Sequence, residues 1–326
     1  MRRERGATQQ QGGFSLVELM IALLLGLLLM SGIIAVYLEG KNNFVQDEAI
    51  SRVQENGRFA LRLLSREIAM GGFYGGVTDP TSITSPAVSD CKTGLLNPDQ
   101  IVETYNKADG GETSAFNSCF PAAITGVDTD ILAVRRASDR PVILHGQWQT
   151  GFSELTPGQY YLHTDNSGLG LSEIKLGSVL TPGIGTLVAT GSTADVWDYF
   201  GRIYYIGTEN GIPSLCVRSV EDIDQTCLVN GIESLQLELG VDTSGDGIPD
   251  EFISGAVNSS GGVDVTTVVS MRIHLLVRSL APVRNFAAQT RSWVLGDQAL
   301  TTNDQYYRRV FTTTVPRNNQ VFTTFE

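Results

Sequence analysis

The distribution of apolar residues changes character along the chain, and each change predicts a different element. From Leu19 to Leu38 twenty consecutive residues carry no charge, and most are Leu, Ile, Met or Ala. At 1.5 Å per residue a helix of that length spans about 30 Å, the thickness of a bilayer's hydrocarbon core. The run therefore predicts a membrane-crossing helix. Beyond Leu38 the apolar positions thin to a stripe, Ala49, Val53, Ala60, Leu64 and Ile68, at helical intervals. Glu48 and Arg52 stand i,i+4 with the favourable polarity. No proline falls between Met1 and Val77, and Gly71-Gly72 followed by Gly75-Gly76 supply a stop. One helix from Phe14 to Met70, roughly 85 Å long, follows. Gly26, Gly32 and Gly57 are its points of bending or close packing. A coiled-coil dimer competes for the amphipathic half, but the heptad pattern lasts too few turns.

After the helix the period shortens. Residues from Tyr74 to Ser118 are rich in Gly, Pro, Ser and Asn and read as a long loop region. Strand-like segments follow at Asp130 to Arg136, Gly158 to His163, Arg202 to Gly207, Ile232 to Gly240, Thr266 to Ser279 and Tyr306 to Val315. Strands after one long helix predict an α+β fold, the helix packed on a mostly antiparallel β-sheet head.

Charge narrows the function. The net charge of −12 argues against nucleic-acid binding, because a phosphate-binding surface needs clustered Lys and Arg, and no such cluster stands out beyond the first five residues. Arg2, Arg3 and Arg5 against Glu4 place that end on the cytoplasmic side of a membrane. The four cysteines fall into local pairs, Cys91 with Cys119 and Cys216 with Cys227. Neither pair has C-x-x-C spacing, so in an exported head they read as two disulfides closing short loops, one of three pairings that four cysteines allow.

An ordinary secretory signal would end the apolar run with a small-x-small cleavage site, and none precedes Glu39. The break lies ahead of the run, at Gly12-Gly13-Phe14, and one acid, Glu18, sits at the run's start. An acid in lipid is costly unless paired, which makes Glu18 a functional candidate. The stretch Gly13-Phe14-Ser15-Leu16-Val17-Glu18-Leu19 resembles the class III signal of type IV prepilins. The resemblance implies cleavage by prepilin peptidase after Gly13, methylation of Phe14 as the new N-terminus, and pairing of Glu18 with a neighbouring subunit's terminal amine. Losing the leader removes three basic and one acidic residue, leaving 20 basic against 34 acidic, or −14. The runs Ser51-Arg52-Val53-Gln54-Glu55-Asn56-Gly57-Arg58 and Arg308-Arg309-Val310-Phe311-Thr312-Thr313-Thr314-Val315 are similar to those of PilW-type minor pilins.

That resemblance implies a type IV pilin-like organisation: leader 1–13, transmembrane half-helix 14–38, amphipathic half-helix 39–72 and periplasmic β-rich head 73–326. It implies an inner-membrane protein with one pass through the lipid bilayer that later joins a pilus filament at its tip, priming or capping assembly. Its partners would be other minor pilins, the major pilin, the inner-membrane assembly platform and a tip adhesin. A type II secretion pseudopilin and a membrane-anchored periplasmic ligand-binding module are the alternatives.

One loop has metal-like spacing. Asp242, Ser244, Asp246 and Asp250 place oxygens at relative positions 1, 3, 5 and 9, with Gly247 at 6 and Ile248 able to offer its carbonyl. Position 12 is Ile253 instead of Glu, so the loop is no EF-hand; it reads either as a Ca²⁺ loop or as an Asp-Gly turn between strands. Enzyme motifs are not assembled. His145, His163 and His274 lack ligand spacing, and the S-x-x-K at Ser172 to Lys175 follows the K-T-G at Lys92 to Gly94, the reverse of a penicillin-recognising enzyme. The reading is a structural subunit and not an enzyme, with no cofactor beyond that calcium.

Overall fold

The computed structural model describes residues 13, 15–88, 92–105, 129–165, 172–189, 191–254, 263, 267–283, 289–317 and 319. These form two compact units, Met1–Glu48 and Ala49–Glu326, and helix α1 (Leu16–Met70) contributes to both. In the first unit the helix is exposed throughout its apolar run, Leu27 and Leu29 each at 71%. It is long and apolar enough to cross a membrane.

In the second unit α1 buries one face: Val53, Gly57, Ala60, Leu64, Glu67 and Ile68. Spacings of three and four put these residues on a single stripe. The expected stripe is present from Val53 to Ile68, with Ala49 only half-buried and with two additions, Gly57 and Glu67. The helix stops where sterics allow a left-handed residue, Gly72 at φ +78°. Its N–H donates to the carbonyl of Arg135 at 3.0 Å. The amide of Asn319 donates to the carbonyls of Ala69 and Gly71, each at 3.3 Å, so the last helical carbonyls are satisfied from the far end of the chain.

The head is built from fifteen described strands. They are β1 (Ile83–Thr84), β2 (Val102–Tyr105), β3 (Ile131–Leu144), β4 (Gln147–Trp148), β5 (Tyr160–Asp165), β6 (Ser172–Leu176), β7 (Ala194–Glu209) and β8 (Ile212–Ser219). β9 (Thr226–Asn230), β10 (Ile232–Val241), β11 (Glu251–Ser254), β12 (Val268–Arg278), β13 (Gln289–Leu295), β14 (Gln298–Asp304) and β15 (Arg308–Pro316) follow. Short helices α2 (Lys92–Leu95), α3 (Gly177–Leu180) and α4 (Ile184–Leu187) lie between them. The large sheet runs β1-β6-β5-β7-β3-β2, with β8 and β9 continuing from β7; a second runs β11-β10-β12-β15, and β13-β14 is a separate hairpin. Among the described residues every ladder is antiparallel except β1 with β6. The expected α+β head with a mostly antiparallel sheet is what the chain adopts.

The helix stripe and the inward faces of both sheets share one core, in which Leu64, Ile68, Tyr204, Leu235 and Ile273 are all at most 2% exposed. A smaller cluster of Val142, Ile143, Leu155, Tyr161, Leu180 and Val196 lies apart from it. All six expected strands are there. β3 extends eight residues past the expected end, bulging on either side of Pro141, where a residue without an N–H is tolerated.

The described part of the stretch from Tyr74 to Ser118, residues 74–88 and 92–105, departs from the expected loop. It holds β1, α2 and β2, with β2 paired to β3. Arg135, 0% exposed, organises it: its guanidinium donates to the carbonyl of Gly94 at 2.8 Å, to that of Gln100 and to the Glu103 carboxylate. One buried cation thus gathers carbonyls from a segment whose own sequence has little period.

Candidate functional site

The residues expected to be processed lie at the start of α1. Gly13 precedes it, and Phe14 is outside the described residues. Glu18 stands in the helix's first turn, where the partial positive charge of unpaired N–H groups favours an acid. It is exposed, and among the described residues no cation pairs with it. The local geometry therefore leaves a carboxylate at the head of an apolar helix with its lone pairs open.

At the other end of α1 the helix is fastened to the head by charge. Glu67 is buried beside the apolar stripe, and Arg136 of β3 grips it with two hydrogen bonds, at 2.8 and 3.1 Å. Arg202 of β7 adds a third at 3.4 Å. Strand register explains the convergence, because Arg136 faces Phe200 across the β3-β7 ladder and Arg202 is two residues further along the same strand. Both guanidinium groups lie over the Phe200 ring, at 4.8 and 4.4 Å. The carboxylate also reaches Tyr204: burial first, then Glu67, pushes that phenol up to about 12. A fork of two planar cations on one carboxylate fixes direction as well as distance, which is what a seat for a helix needs. The cluster escaped the sequence reading. An acid in phase with Ala60 and Leu64 was its one trace.

The fastening continues through the C-terminal strand. Phe311 of β15 packs against Gly57, where the helix has no side chain. Across the second sheet Glu238 accepts from His274 at 2.9 Å and from Arg272 at 3.1 Å. Burial would raise the Glu238 pKa, but the His274 and Arg272 hydrogen bonds outweigh it and hold the carboxyl below its ordinary range. His274 thus braces a sheet, His163 of β5 faces Glu173 of β6 at 3.4 Å, and His145 occupies a turn with φ +49°.

The acidic loop joins β10 to β11. The Asp242 carboxylate accepts from the N–H groups of Gly245 and Gly247, each at 2.7 Å, and of Ser244 at 3.1 Å. Asp250 accepts from Thr243 N–H and Oγ1, both at 2.7 Å, and Asp246 from the N–H of Ile248 at 2.8 Å. Gly247 leads the groups that hold Asp242 below its ordinary pKa, and Thr243 leads for Asp250. Among the described residues no three Asp, Glu, His or Cys side chains converge on a point that could hold a metal. Of the expected calcium set of Asp242, Ser244, Asp246, Ile248 and Asp250, the three carboxylates accept from N–H groups of their own loop, as in an Asx turn.

Cys216 of β8 and Cys227 of β9 form a disulfide across the ladder, with Cα atoms 3.9 Å apart. Cys91 and Cys119 lie outside the described residues. Ser172 to Lys175 form most of β6, and Lys92 to Gly94 open α2, so these enzyme-like motifs sit in ordinary elements.

Comparison with known proteins matches both ends of the chain. Residues 8–34 match the model of the prokaryotic N-terminal methylation motif, which includes Gly13, Phe14 and Glu18. Residues 203–319 match that of type IV pilus-assembly protein W, from the second half of β7 through β15 to Asn319. No curated protein matches in sequence. Among solved structures, the type IV-like pilin TTHA1219 from Thermus thermophilus is 11% identical, with 82% of this chain and 98% of that one covered and a TM-score of 0.33. That likeness is too loose to carry an argument, and the fold stands on the element order described above.

Proposed function

We propose that this chain, a type IV pilin-like protein of the PilW type, is a minor pilin that primes or caps a filament after prepilin peptidase has cut behind Gly13. The observation that carries the reading is the exposed apolar helix that begins directly after Gly13-Phe14 with Glu18 in its first turn. Such a helix is stable in only two settings, a bilayer before assembly and a bundle of like helices after it. Once Phe14 is the terminus, its amine is a cation as poorly solvated in lipid as Glu18, and each offsets the cost of the other across a subunit boundary. The head is the periplasmic part of a membrane-anchored protein. Its partners are other minor pilins, the major pilin, the assembly platform and a tip adhesin. Both matched families are structural or assembly modules, in keeping with a role that needs no catalysis.

Mass spectrometry of the N-terminus, on protein extracted from membranes, tests the reading. The expected product begins at a methylated Phe14. A chain that keeps Met1 in a host with an active peptidase overturns it.

A further inference from the structure

We infer that a groove between α1 and strands β3 and β7 of the head docks an acidic polypeptide segment of a neighbouring subunit. That the partner is a subunit rests on the filament reading above; that it is acidic rests on the groove itself. The groove has a volume of about 590 Å³, and α1 supplies Phe59, Arg62 and Arg66 to it. Arg140 of β3, Phe152 of the loop after β4 and Phe200 of β7 line it as well.

Its arginines divide by their partners. Arg136 and Arg202 are held by Glu67. Arg66 reaches Asp139 only at 3.8 Å, with both side chains more than 60% exposed, and a pair of that kind contributes little. Arg62 and Arg140 have no ion pair or hydrogen bond to their side chains among the described residues, and neither has Arg58 one turn earlier on α1. A planar guanidinium with free donors binds a carboxylate through two parallel hydrogen bonds. Beside these cations the rings of Phe59 and Phe152 are 51% and 39% exposed, an apolar wall for an anchoring side chain. Arginine next to open aromatic surface is the composition that protein interfaces favour at their centres.

Charge selects the occupant. The chain as a whole carries −12, so a face with Arg58, Arg62, Arg66 and Arg140 exposed runs against its own background and steers acidic partners to one place. A nucleic-acid strand fits less well. Glu67, Asp139 and Asp198 line the same groove, and a phosphate on every nucleotide would be pressed against them. A peptide with a few carboxylates around one apolar residue meets the free arginines and avoids the acids.

A photo-crosslinking residue in place of Phe152, in the full chain in its own membrane, tests the inference. The adduct is sequenced by mass spectrometry, alone and with Arg62→Glu/Arg140→Glu, two exposed positions. The expected adduct is a peptide with at least two acidic residues close to the crosslink, reduced at least fivefold by the charge reversal while the fold, followed by circular dichroism, is kept. An adduct with nucleic acid, lipid or a peptide without acids overturns the inference, and so does no adduct or one indifferent to the reversal. The state of Phe14 in the same sample separates the two readings. A methylated Phe14 without an acidic adduct sinks the groove and spares the subunit; an acidic adduct on a chain that keeps Met1 does the opposite.

Discussion

The ring of Phe311 occupies the space that a β-carbon on Gly57 would need, its Cε2 atom nearest to that position. A helix residue and a strand residue 254 positions apart in the numbering, 57 and 311, are thus matched as hole and knob. Gly57, a residue that weakens an isolated helix, lets α1 approach the C-terminal strand.

Substitution at Gly57 sets helix propensity against packing. Removing a helical glycine favours the fold by about 1 kcal/mol, and displacing a packed ring costs about 1–3 kcal/mol. Gly57→Ala is therefore expected to be near neutral, with the ring moving aside. Gly57→Leu should lose about 2 kcal/mol in chemical denaturation, and adding Phe311→Ala should recover part of that loss. Strict additivity of the two changes would show that the contact does not matter.

Glu67→Gln leaves Arg136 buried with a neutral partner. Breaking a buried pair from one side costs about 3 kcal/mol or more, because the remaining charge stays desolvated. The head should melt earlier by several degrees while the apolar helix still inserts. A melting temperature equal to that of the unaltered protein would remove the charge lock from the account.

The loop between β10 and β11 has a definite pH sense. Asp242 and Asp250 have folded pKa values below their ordinary one, so their stabilisation is complete above the unfolded value of about 3.9 and is lost as pH falls through the folded values. The Gly245 and Gly247 amide resonances should titrate with midpoints below about 3.9. Millimolar calcium, or its chelation, should leave the melting temperature unchanged. A calcium-dependent rise of several degrees would favour the calcium reading of the loop instead.

Glu18→Gln keeps the shape of the first turn and removes its charge. Membrane insertion should persist, since a neutral side chain is less costly in lipid than a carboxylate. Incorporation into filaments, followed by immunoblotting of sheared pili, should fall. Equal incorporation of both forms would show that no amine waits for that acid.

The elements legible in the sequence were those whose stability is local. A membrane helix satisfies its own backbone, so the uncharged run from Leu19 to Leu38 needed no distant partner to be recognised. The stripe through Val53, Ala60, Leu64 and Ile68 was legible because helical period alone puts those residues on one face, and strands such as β10 and β12 because they are long and apolar. β1, β2, β4, β6, β8, β9, β11, β13 and β14 were missed; most are short or polar, and only neighbouring strands or turns hold them. The spacing of the acidic loop suits a cation and an Asp-Gly turn alike, and only its folding shows which backbone N–H groups its carboxylates meet.

By itself the sequence determined that a basic stretch, a Gly-Phe step, one acid and a greasy helix follow one another, and that a β-rich head comes after them. Each of those rests on residues next to one another or one helical turn apart. Only the tertiary structure decided how the head holds its helix: Glu67 against Arg136 and Arg202, 69 and 135 residues away, and the Asn319 amide on Ala69, 250 away. Such contacts depend on the register of antiparallel strands, which a one-residue slip would turn to the opposite face, and no local pattern records it.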